Sequence, residues 1–228
     1  SLTSVTIGNS VTSIGNNAFN GCSSLTSVTI PDSVTSIGKS AFGNCSGLTS
    51  IEVGKGNNNY ASEDGVLYNK NKTELIQFPA GEKIRGGHYT ISDSITSIGN
   101  WAFDGCSSLT SVTIPDSVTS IGEQPFLWCE SLTSINVANS NKSYSSVEGV
   151  LFDKNKTLLI QFPAGKSGHY TIPNSVQSIG FAAFYGCKNL AGIKVPKSNI
   201  KYSSEDGVLF DKNKTRLISC PATKNGYY

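Results

Sequence analysis

The sequence predicts a repeat solenoid built mainly from short β-strands. The first observation is a motif of 23 residues, VTSIGNNAFNGCSSLTSVTIPDS, that begins at Val11 and restarts at Val34. Close copies begin at Ile95, Val118 and Val176. The second observation is a different segment, described below, that interrupts these copies three times. A fixed period of about 20 to 50 residues is typical of solenoids, in which each repeat buries its apolar side chains against its neighbours.

The apolar residues within one copy fit neither a sustained helix nor one long strand. They favour two short strands, SVTSIG and LTSIEV, which lie on opposite walls of one coil and are joined by turns. The LxxVxI spacing of the second strand is in the range of leucine-rich repeats, so we expect a right-handed coil of that type. Between the strands, AFxxC is predicted to form a helical or 3₁₀ turn. The apolar positions in the second copy are Val34, Ile37, Ala41, Phe42, Cys45, Leu48, Ile51 and Val53.

A glycine follows the isoleucine of SIG in every copy. We predict that this position either needs a positive φ or has no room for a side chain. The glycines are Gly15, Gly38, Gly99, Gly122 and Gly180.

The interrupting segment first occurs as YASEDGVLYNKNKTELIQFPA, from Tyr60 to Ala80, and returns at Tyr144 and Tyr202. Its runs GVLY and LIQF flank Asn-Lys-Asn-Lys, which favours a turn, so each insert is predicted to be a β-hairpin. Because the chain contains no Met and begins within a repeat, we expect it to be a fragment of a longer protein. We predict one solenoid over 1–228, with coils near 1–53, 88–137 and 169–195 and inserts near 57–87, 141–168 and 199–222.

The pattern VTSIGxxAFxxCxxLTSVxIP, alternating with DGVLYNKxKTxLIxFPAG and YTIP, resembles the BspA-like group of leucine-rich repeats. The resemblance covers essentially all of the chain, and IGxxAFxxC separates this group from the ordinary LxxLxLxxN type. Pro125 and Cys220 depart from it, at an alanine and a phenylalanine position. The resemblance implies a surface-exposed or secreted protein of a bacterium or protozoan parasite. Several relatives are adhesins that bind host matrix proteins or cells, and the group shares no catalytic residues.

Composition and charge argue against several classes of partner. Charged residues make up 15% of the chain and the formal net charge is +2, so we expect no nucleic-acid partner. No apolar run approaches the roughly 20 residues of a membrane-spanning helix, so no direct membrane insertion is expected. We expect no cofactor.

Cysteine and histidine are the residues here that most often carry chemistry. Five cysteines share one position of the repeat, which favours a ladder of buried free thiols. Disulfides between the first two or between the third and fourth, and a metal site, are the alternatives. The two histidines are repeat equivalents, so a structural or solvated role is favoured over a catalytic one. These residues are Cys22, Cys45, Cys106, Cys129 and Cys187, and His88 and His169.

Residues that break the repeat pattern are candidates for partner binding. Large side chains occupy turn positions at which other copies carry Asn16 or Ser40, and such side chains anchor many interfaces. Packing on a neighbouring insert or chain is the alternative. Polar residues that alternate with the core along the second strand form a further, hydroxyl-rich face suited to broad contacts. The candidates are Trp101, Leu127, Trp128, Phe181 and Tyr185 in the turns, and Ser50, Glu52, Ser111, Thr113, Ser134, Asn136 and Lys194 on the strands.

We interpret the chain as a non-enzymatic adhesion module, secreted or at the cell surface, that contacts a protein or glycan through an extended face of the solenoid. Host matrix is one such partner. The alternative is a structural spacer or stalk without a ligand of its own. Self-association through the open ends of the solenoid is a further hypothesis. The extracellular or cell-surface location rests on the family resemblance.

Overall fold

The chain winds into a β-solenoid of about 8 turns in the computed structural model, which describes residues 2–224. Its strands are only two to five residues long. They are β1 (Val5–Thr6), β2 (Ser13–Ile14), β3 (Ser27–Ile30), β4 (Ser36–Ile37), β5 (Ser50–Val53), β6 (Tyr60–Glu63), β7 (Val66–Asn69), β8 (Glu74–Gln77), β9 (His88–Thr90), β10 (Ser97–Ile98), β11 (Ser111–Ile114), β12 (Ser120–Ile121), β13 (Ser134–Val137), β14 (Tyr144–Val147), β15 (Val150–Asp153), β16 (Leu158–Gln161), β17 (Gly168–Thr171), β18 (Ser178–Ile179), β19 (Leu190–Lys194), β20 (Tyr202–Glu205), β21 (Val208–Asp211) and β22 (Leu217–Ser219).

Two walls of parallel strands enclose the core. The SVTI wall consists of the sheets β1-β3-β5, β9-β11-β13 and β17-β19, whereas the opposite SIG wall contains β2, β4, β10, β12 and β18. Pairing places equivalent residues side by side, as Val28 beside Ile51 and Val112 beside Ile135. These four side chains are buried, and the residues on either side of each one along its strand point outward. The alternation within each strand therefore fixes which side chains face the core.

The AFxxC segments are not helical, so the prediction of a helical or 3₁₀ turn there was wrong. They form successive turns, and the one 3₁₀ helix of the described chain, Arg85–Gly87, lies elsewhere. The residue two places after the SIG glycine has a positive φ in all five copies, which interrupts a right-handed helix. The backbone N–H groups instead bond to the next coil: Phe19 donates to Ala41 O at 2.8 Å and Phe103 to Pro125 O at 2.8 Å. The positive-φ residues are Asn17, Ser40, Trp101, Gln124 and Ala182.

The glycine after SIG is required by close packing of the coils. A Cβ on Gly38 would lie 2.6 Å from Asn16 Oδ1 in the preceding coil, whereas a Cβ on Gly15 in the first coil would meet nothing within 4 Å. Neither residue has a positive φ. Lack of room is therefore the reason for Gly38.

Each of the first two inserts is a three-stranded antiparallel meander whose last strand belongs to the solenoid. The predicted hairpin corresponds to β7 and β8, and YASE adds the strand β6, which pairs with β7. Strand β8 then joins the SIG wall, with Leu75 beside Ile98. The second insert repeats this arrangement with β14, β15 and β16. The third, β20-β21-β22, has the same three strands.

Each insert also closes the edge of the preceding sheet. In the first, Ile51 N–H donates to Gly65 O at 2.9 Å and Val53 N–H donates to Ser62 Oγ at 3.0 Å. These bonds occupy the place of a further strand, so they divide the SVTI wall into three sheets and leave no free edge at β5. The equivalent bonds run from Ile135 to Gly149, Val137 to Ser146, Ile193 to Gly207 and Val195 to Ser204.

A buried asparagine fastens each insert to the coil before it. The Asn141 amide donates to Pro115 O at 2.7 Å and Val118 O at 2.9 Å, and its Oδ1 accepts from the N–H groups of Ser143 and Tyr144. Asn57 and Asn199 are likewise buried in the first and third inserts. Complete pairing offsets the cost of burying these amides.

All six cysteines are free thiols in the structure. Four are buried, Cys22 is half-buried and Cys220 is exposed. The Cys45 thiol donates to Phe19 O at 2.9 Å and the Cys129 thiol to Phe103 O at 3.1 Å, in each case in the preceding coil. Burial raises the pKa of Cys45 to about 11, so this thiol is protonated at neutral pH.

Candidate functional site

The AFxxC turns form a ridge along the solenoid, which we call the turn ridge: residues 16–22, 39–45, 100–106, 123–129 and 181–187. The coil that contains β8 carries only Phe78-Pro79-Ala80 at this place. The turns on either side of it therefore meet directly. Asn44 N–H donates to Asp104 O at 3.3 Å, and Ser40 Oγ donates to Asp104 Oδ2 at 3.2 Å.

A groove of about 360 Å³ lies on this part of the ridge. We call it the ridge groove. It brings together three of the five turn residues proposed from the sequence, together with amide, hydroxyl and charged side chains. Its lining residues are Asn16, Asn17, Asn20, Lys39, Ser40, Asn44, Trp101, Asp104, Leu127 and Trp128.

The two tryptophans of the groove hold strained backbone conformations. Trp101 has φ 53° and Trp128 has φ 57°. At the position of Trp128, three of the other four coils carry glycine, and the fourth has Asn44 with φ 52°. A bulky residue in the left-handed region costs about 1–2 kcal/mol, and such strain is concentrated at functional sites.

Contacts along the ridge position the tryptophans. Trp101 Nε1 donates to Gln124 Oε1 at 3.0 Å, and Lys39 Nζ lies 5.6 Å from the centroid of the Trp101 ring. Trp128 contacts the ring of Tyr185 edge to face, with centroids 5.0 Å apart. Trp101 is half-buried by these neighbours, whereas 37% of Trp128 is exposed.

Asp104 belongs to the groove although the sequence pattern did not single it out. Its side chain is 3% exposed, Oδ2 accepts from Ser40 Oγ, and Oδ1 is buried without a hydrogen-bond partner. Burial raises the pKa of Asp104 to about 6. The available signal was its place in the repeat: among the five AFxxC turns, this is the one copy with a charged residue directly after the phenylalanine, where the others have Asn20, Gly43, Leu127 and Tyr185.

Phe181 and Tyr185 lie outside the ridge groove, in the last AFxxC turn. Phe181 is 91% exposed and Tyr185 is 51% exposed. The coil that contains β16 also lacks an AFxxC turn, so the ring of Tyr185 reaches Trp128 across it. The turn ridge therefore carries a second apolar area beside the groove.

The proposed polar face on the SVTI wall lies on three separate sheets. Its side chains pair mainly with one another: Ser50 Oγ donates to Glu52 Oε1 at 2.5 Å, and Ser134 Oγ donates to Asn136 Oδ1 at 2.8 Å. The three sheets carry, respectively, Ser50 and Glu52; Ser111, Thr113, Ser134 and Asn136; and Lys194.

The histidines lie exposed on this same face. His88 Nδ1 is 2.6 Å from Ser111 Oγ, and its Nε2 is 3.4 Å from Thr113 Oγ1. His169 occupies the equivalent place on β17. Neither neighbourhood assembles a nucleophile, a base and an acid.

Residues 2–224 contain neither a metal-ligand cluster nor a membrane-spanning helix. Three or more His, Cys, Asp or Glu side chains nowhere come together as a metal site in this part of the chain. The same residues include no helix with the length and apolar character to span a membrane.

Comparisons with known proteins agree with this architecture. A family model described as BspA type leucine rich repeat region matches six copies, over residues 1–87, 87–167 and 161–224. No curated protein is a significant match.

Two solved structures of bacterial leucine-rich repeat proteins are similar to the chain. One is a leucine rich cell surface protein of Faecalibacterium prausnitzii A2-165, at 31% identity and a TM-score of 0.60, covering 85% of this chain and 48% of that one. The other is a leucine-rich repeat protein of Eubacterium ventriosum ATCC 27560, at 29% identity and a TM-score of 0.54, covering 87% and 49%. The chain thus spans about half the length of these structures.

Proposed function

Because the chain belongs to the BspA-type leucine-rich repeat family, we propose that it is a non-enzymatic binding module, secreted or at the cell surface, that contacts a protein or glycan through the turn ridge. Proteins of this repeat family are generally binding modules rather than enzymes. The cell-surface assignment of the Faecalibacterium prausnitzii protein supports the proposed location.

The observation that carries the proposal is the set of large side chains on the ridge. Trp128, Phe181 and Tyr185 are 37%, 91% and 51% exposed. The other coils carry small or polar residues at these positions, apart from Leu127 at the position of Tyr185. Exposed aromatic residues are the typical anchors of interfaces. Trp128 has a positive φ at a position where three of the other four coils carry glycine, so its side chain adds a strain that those coils avoid.

The ridge is favoured over the polar strand face because side chains of the strand face already hydrogen-bond to one another. The side chains of Ser50 and Ser134 already bond to their neighbours on the same strand, and the inserts interrupt the face. Displacing such pairs for a partner gains little net free energy. The strand face is therefore assigned a supporting role.

The repeat itself supplies variants that test the ridge. Replacing Trp101, Trp128, Phe181 and Tyr185 by Asn introduces residues found at the equivalent positions of other coils: Asn17, Asn44, Asn16 and Asn20. The control is Ile200→Asn, since Ile200 is 72% exposed outside the ridge and Asn58 is its equivalent in the first insert. Binding is measured by surface plasmon resonance against purified matrix proteins and on a glycan array.

We expect the native chain and the Ile200→Asn control to bind the same partner, and the fourfold variant to lose at least tenfold in affinity. Circular dichroism checks that each variant is folded. A chain that binds nothing in either panel supports the structural spacer instead. Undiminished binding by the fourfold variant excludes the ridge as the contact surface.

A further inference from the structure

The ridge groove lies where two turns, residues 39–45 and 100–106, meet across the coil that has no AFxxC turn. In residues 2–224, Asp104 makes both of the hydrogen bonds that join these turns. Its carboxylate accepts from Ser40 Oγ at 3.2 Å, and its backbone oxygen accepts from Asn44 N–H at 3.3 Å. We call these two hydrogen bonds the gap contact. The hydrogen bonding between the two sides of the groove therefore depends on one residue.

The gap contact uses the same repeat position in three successive AFxxC turns. Asn20, Gly43 and Asp104 directly follow the phenylalanine of their turns. Asn20 Nδ2 donates to Ser40 Oγ at 2.9 Å, and Ser40 Oγ donates to Asp104 Oδ2. Gly43 leaves the space in which these groups meet. A Cβ there would lie 2.8 Å from Asn20 Nδ2 and closer still to Ser40 Oγ and Asp104 Oδ2.

We propose that the gap contact positions the two halves of the ridge groove and that it weakens when Asp104 loses its proton. Asp104 N–H donates to Trp101 O at 2.9 Å, and the Lys39 ammonium group, next to Ser40 in sequence, lies 5.6 Å from the centroid of the Trp101 ring. Opening the contact therefore changes how Lys39 and Trp101 are placed. Asp104 is a positioning residue, because its side chain is only 3% exposed. This inference rests on the proposed function and assigns the same surface a form of regulation.

The burial of Asp104 sets the direction of the pH dependence. Oδ1 has no hydrogen-bond partner, and an unpaired buried oxygen costs more on a charged carboxylate than on a neutral acid. Burial raises the pKa of Asp104 to about 6, whereas a solvated aspartate titrates near 3.9. Exposing the side chain therefore becomes roughly 50-fold more favourable between pH 4 and pH 7. A partner that contacts both halves of the groove binds more tightly below pH 6.

Other titratable groups lie in the turns and coil around Asp104, so the test has to separate them from it. Burial raises the pKa of the Cys45 thiol to about 11 and raises that of Cys106 as well, so neither thiol ionises between pH 4 and pH 7. Asp104→Asn keeps all the other groups and removes only the titration of residue 104. The groups are Cys22 in the first turn, Lys39 and Cys45 in the second, Glu74 and Glu82 in the intervening coil, Cys106 in the same turn as Asp104, and Glu123 and Cys129 in the next turn.

Hydrogen exchange at the Asn44 amide measures the gap contact directly, because this N–H donates to Asp104 O. Protection factors, which correct for the intrinsic effect of pH on exchange, are measured by NMR at pH 4, 5, 6 and 7. The Gly122 amide donates to Ile98 O at 2.8 Å in the SIG wall and reports any change in the whole molecule.

Two variants and one control complete the experiment. Asp104→Asn removes the titration and keeps the shape of the side chain. Gly43→Ala places a Cβ among the groups of the gap contact, so it opens the contact without changing any charge. Gly15→Ala is the matched control, because a Cβ there meets no atom within 4 Å.

We expect the protection of Asn44 relative to Gly122 to fall at least about tenfold from pH 4 to pH 7 in the native chain and in Gly15→Ala. The fall should be absent in Asp104→Asn, and Gly43→Ala should show low protection of Asn44 at every pH. The inference is overturned if the ratio stays constant in the native chain, if Asp104→Asn shows the same fall, or if Gly43→Ala protects Asn44 as the native chain does. The measurement uses the chain without a partner, so its failure is distinct from a failure of the proposed function.

Discussion

Asp104 makes the stability of the native state depend on pH. Burial raises its pKa to about 6, whereas an unfolded aspartate titrates near 3.9. The folded state holds this proton more tightly, so the stabilisation is complete below about pH 4 and is lost as pH rises through about 6. We expect Asp104→Asn to be more stable than the native chain by about 2 kcal/mol at pH 7 and nearly equal to it at pH 4.

Urea denaturation at pH 4, 5, 6 and 7 measures this difference. Ser40→Ala is the companion variant, because it removes the hydrogen bond that favours the charged form and so enlarges the pH dependence. A stability difference that does not change between pH 4 and pH 7 would contradict the raised pKa.

The cysteine ladder predicts a graded reactivity of thiols. Burial raises the pKa of Cys45 to about 11 and of Cys187 to about 12, so both are thiols rather than thiolates at pH 8. With Ellman's reagent we expect Cys220 to react first, Cys22 more slowly, and the four buried cysteines only after denaturation. Rapid reaction of all six in the native state would contradict the ladder, and fewer than six in denaturant would reveal a disulfide.

At the scale of single residues, departures from the repeat were readable from sequence. Trp101 and Trp128 stand out because other copies carry small or polar residues there. Asp104 was not singled out, because Ser40, which donates to its carboxylate, lies 64 residues away in sequence. The sequence shows the charged residue after the turn phenylalanine and the missing AFxxC turn of the intervening coil as separate features, and only the fold brings Ser40 and Asp104 together.

At the scale of elements, the sequence predicted the strands whose side chains alternate between core and solvent. It did not predict strands that form only because they pair with a neighbouring strand. SVTI was predicted from its alternation of apolar and polar residues, and its side chains alternate between exposed and buried. YASE in β6 shows no such alternation and is nowhere fully buried. It is a strand because it pairs with β7. The prediction of helical AFxxC turns was wrong for a related reason, because their N–H groups bond to a neighbouring coil.

Close stacking of coils predicts opposite effects of one substitution at two repeat-equivalent glycines. Gly38→Ala places a Cβ 2.6 Å from Asn16 Oδ1 and against the backbone of the preceding coil, so we expect a loss of about 1–3 kcal/mol. Gly15→Ala meets no atom within 4 Å, so it is expected to be neutral or stabilising by up to about 1 kcal/mol. Thermal and urea unfolding of both variants measure the difference. Equal destabilisation would show that conformation, not space, selects glycine here.

At the scale of the whole molecule, the inserts separate the core into three sections while connecting them. Strand β7 is buried on both faces: Leu67 packs into the core of the preceding coils, and Val66 and Tyr68 pack into the core that follows. Strand β15 does the same, with Leu151 in the second core section and Phe152 in the third. The repeat period predicted a solenoid. It is the same for every coil, so it did not predict where the core divides into sections.

The Leu151 side chain should therefore contribute both to core packing and to the contact between two core sections. It is fully buried in a strand that borders two core sections, so Leu151→Ala is expected to cost about 2–5 kcal/mol through lost burial and a residual cavity. The cavity also weakens the contact between the sections. We expect β17 and β19 to exchange their amide hydrogens at lower urea than β9, β11 and β13 in this variant, whereas the native chain exchanges them together.

Leu217→Ala is the matched control, because Leu217 begins the last strand of the third insert and is 47% exposed. Its equivalents in the first two inserts, Leu75 and Leu159, are fully buried and are therefore unsuitable as controls. With little area to lose, Leu217→Ala should cost less than about 1 kcal/mol and leave the exchange pattern unchanged. Similar losses in both variants, or exchange that stays uniform in Leu151→Ala, would mean that β7 and β15 do not hold the three sections together. The backbone bonds that the inserts make to the preceding sheets would then be the connection, because they do not depend on side-chain volume.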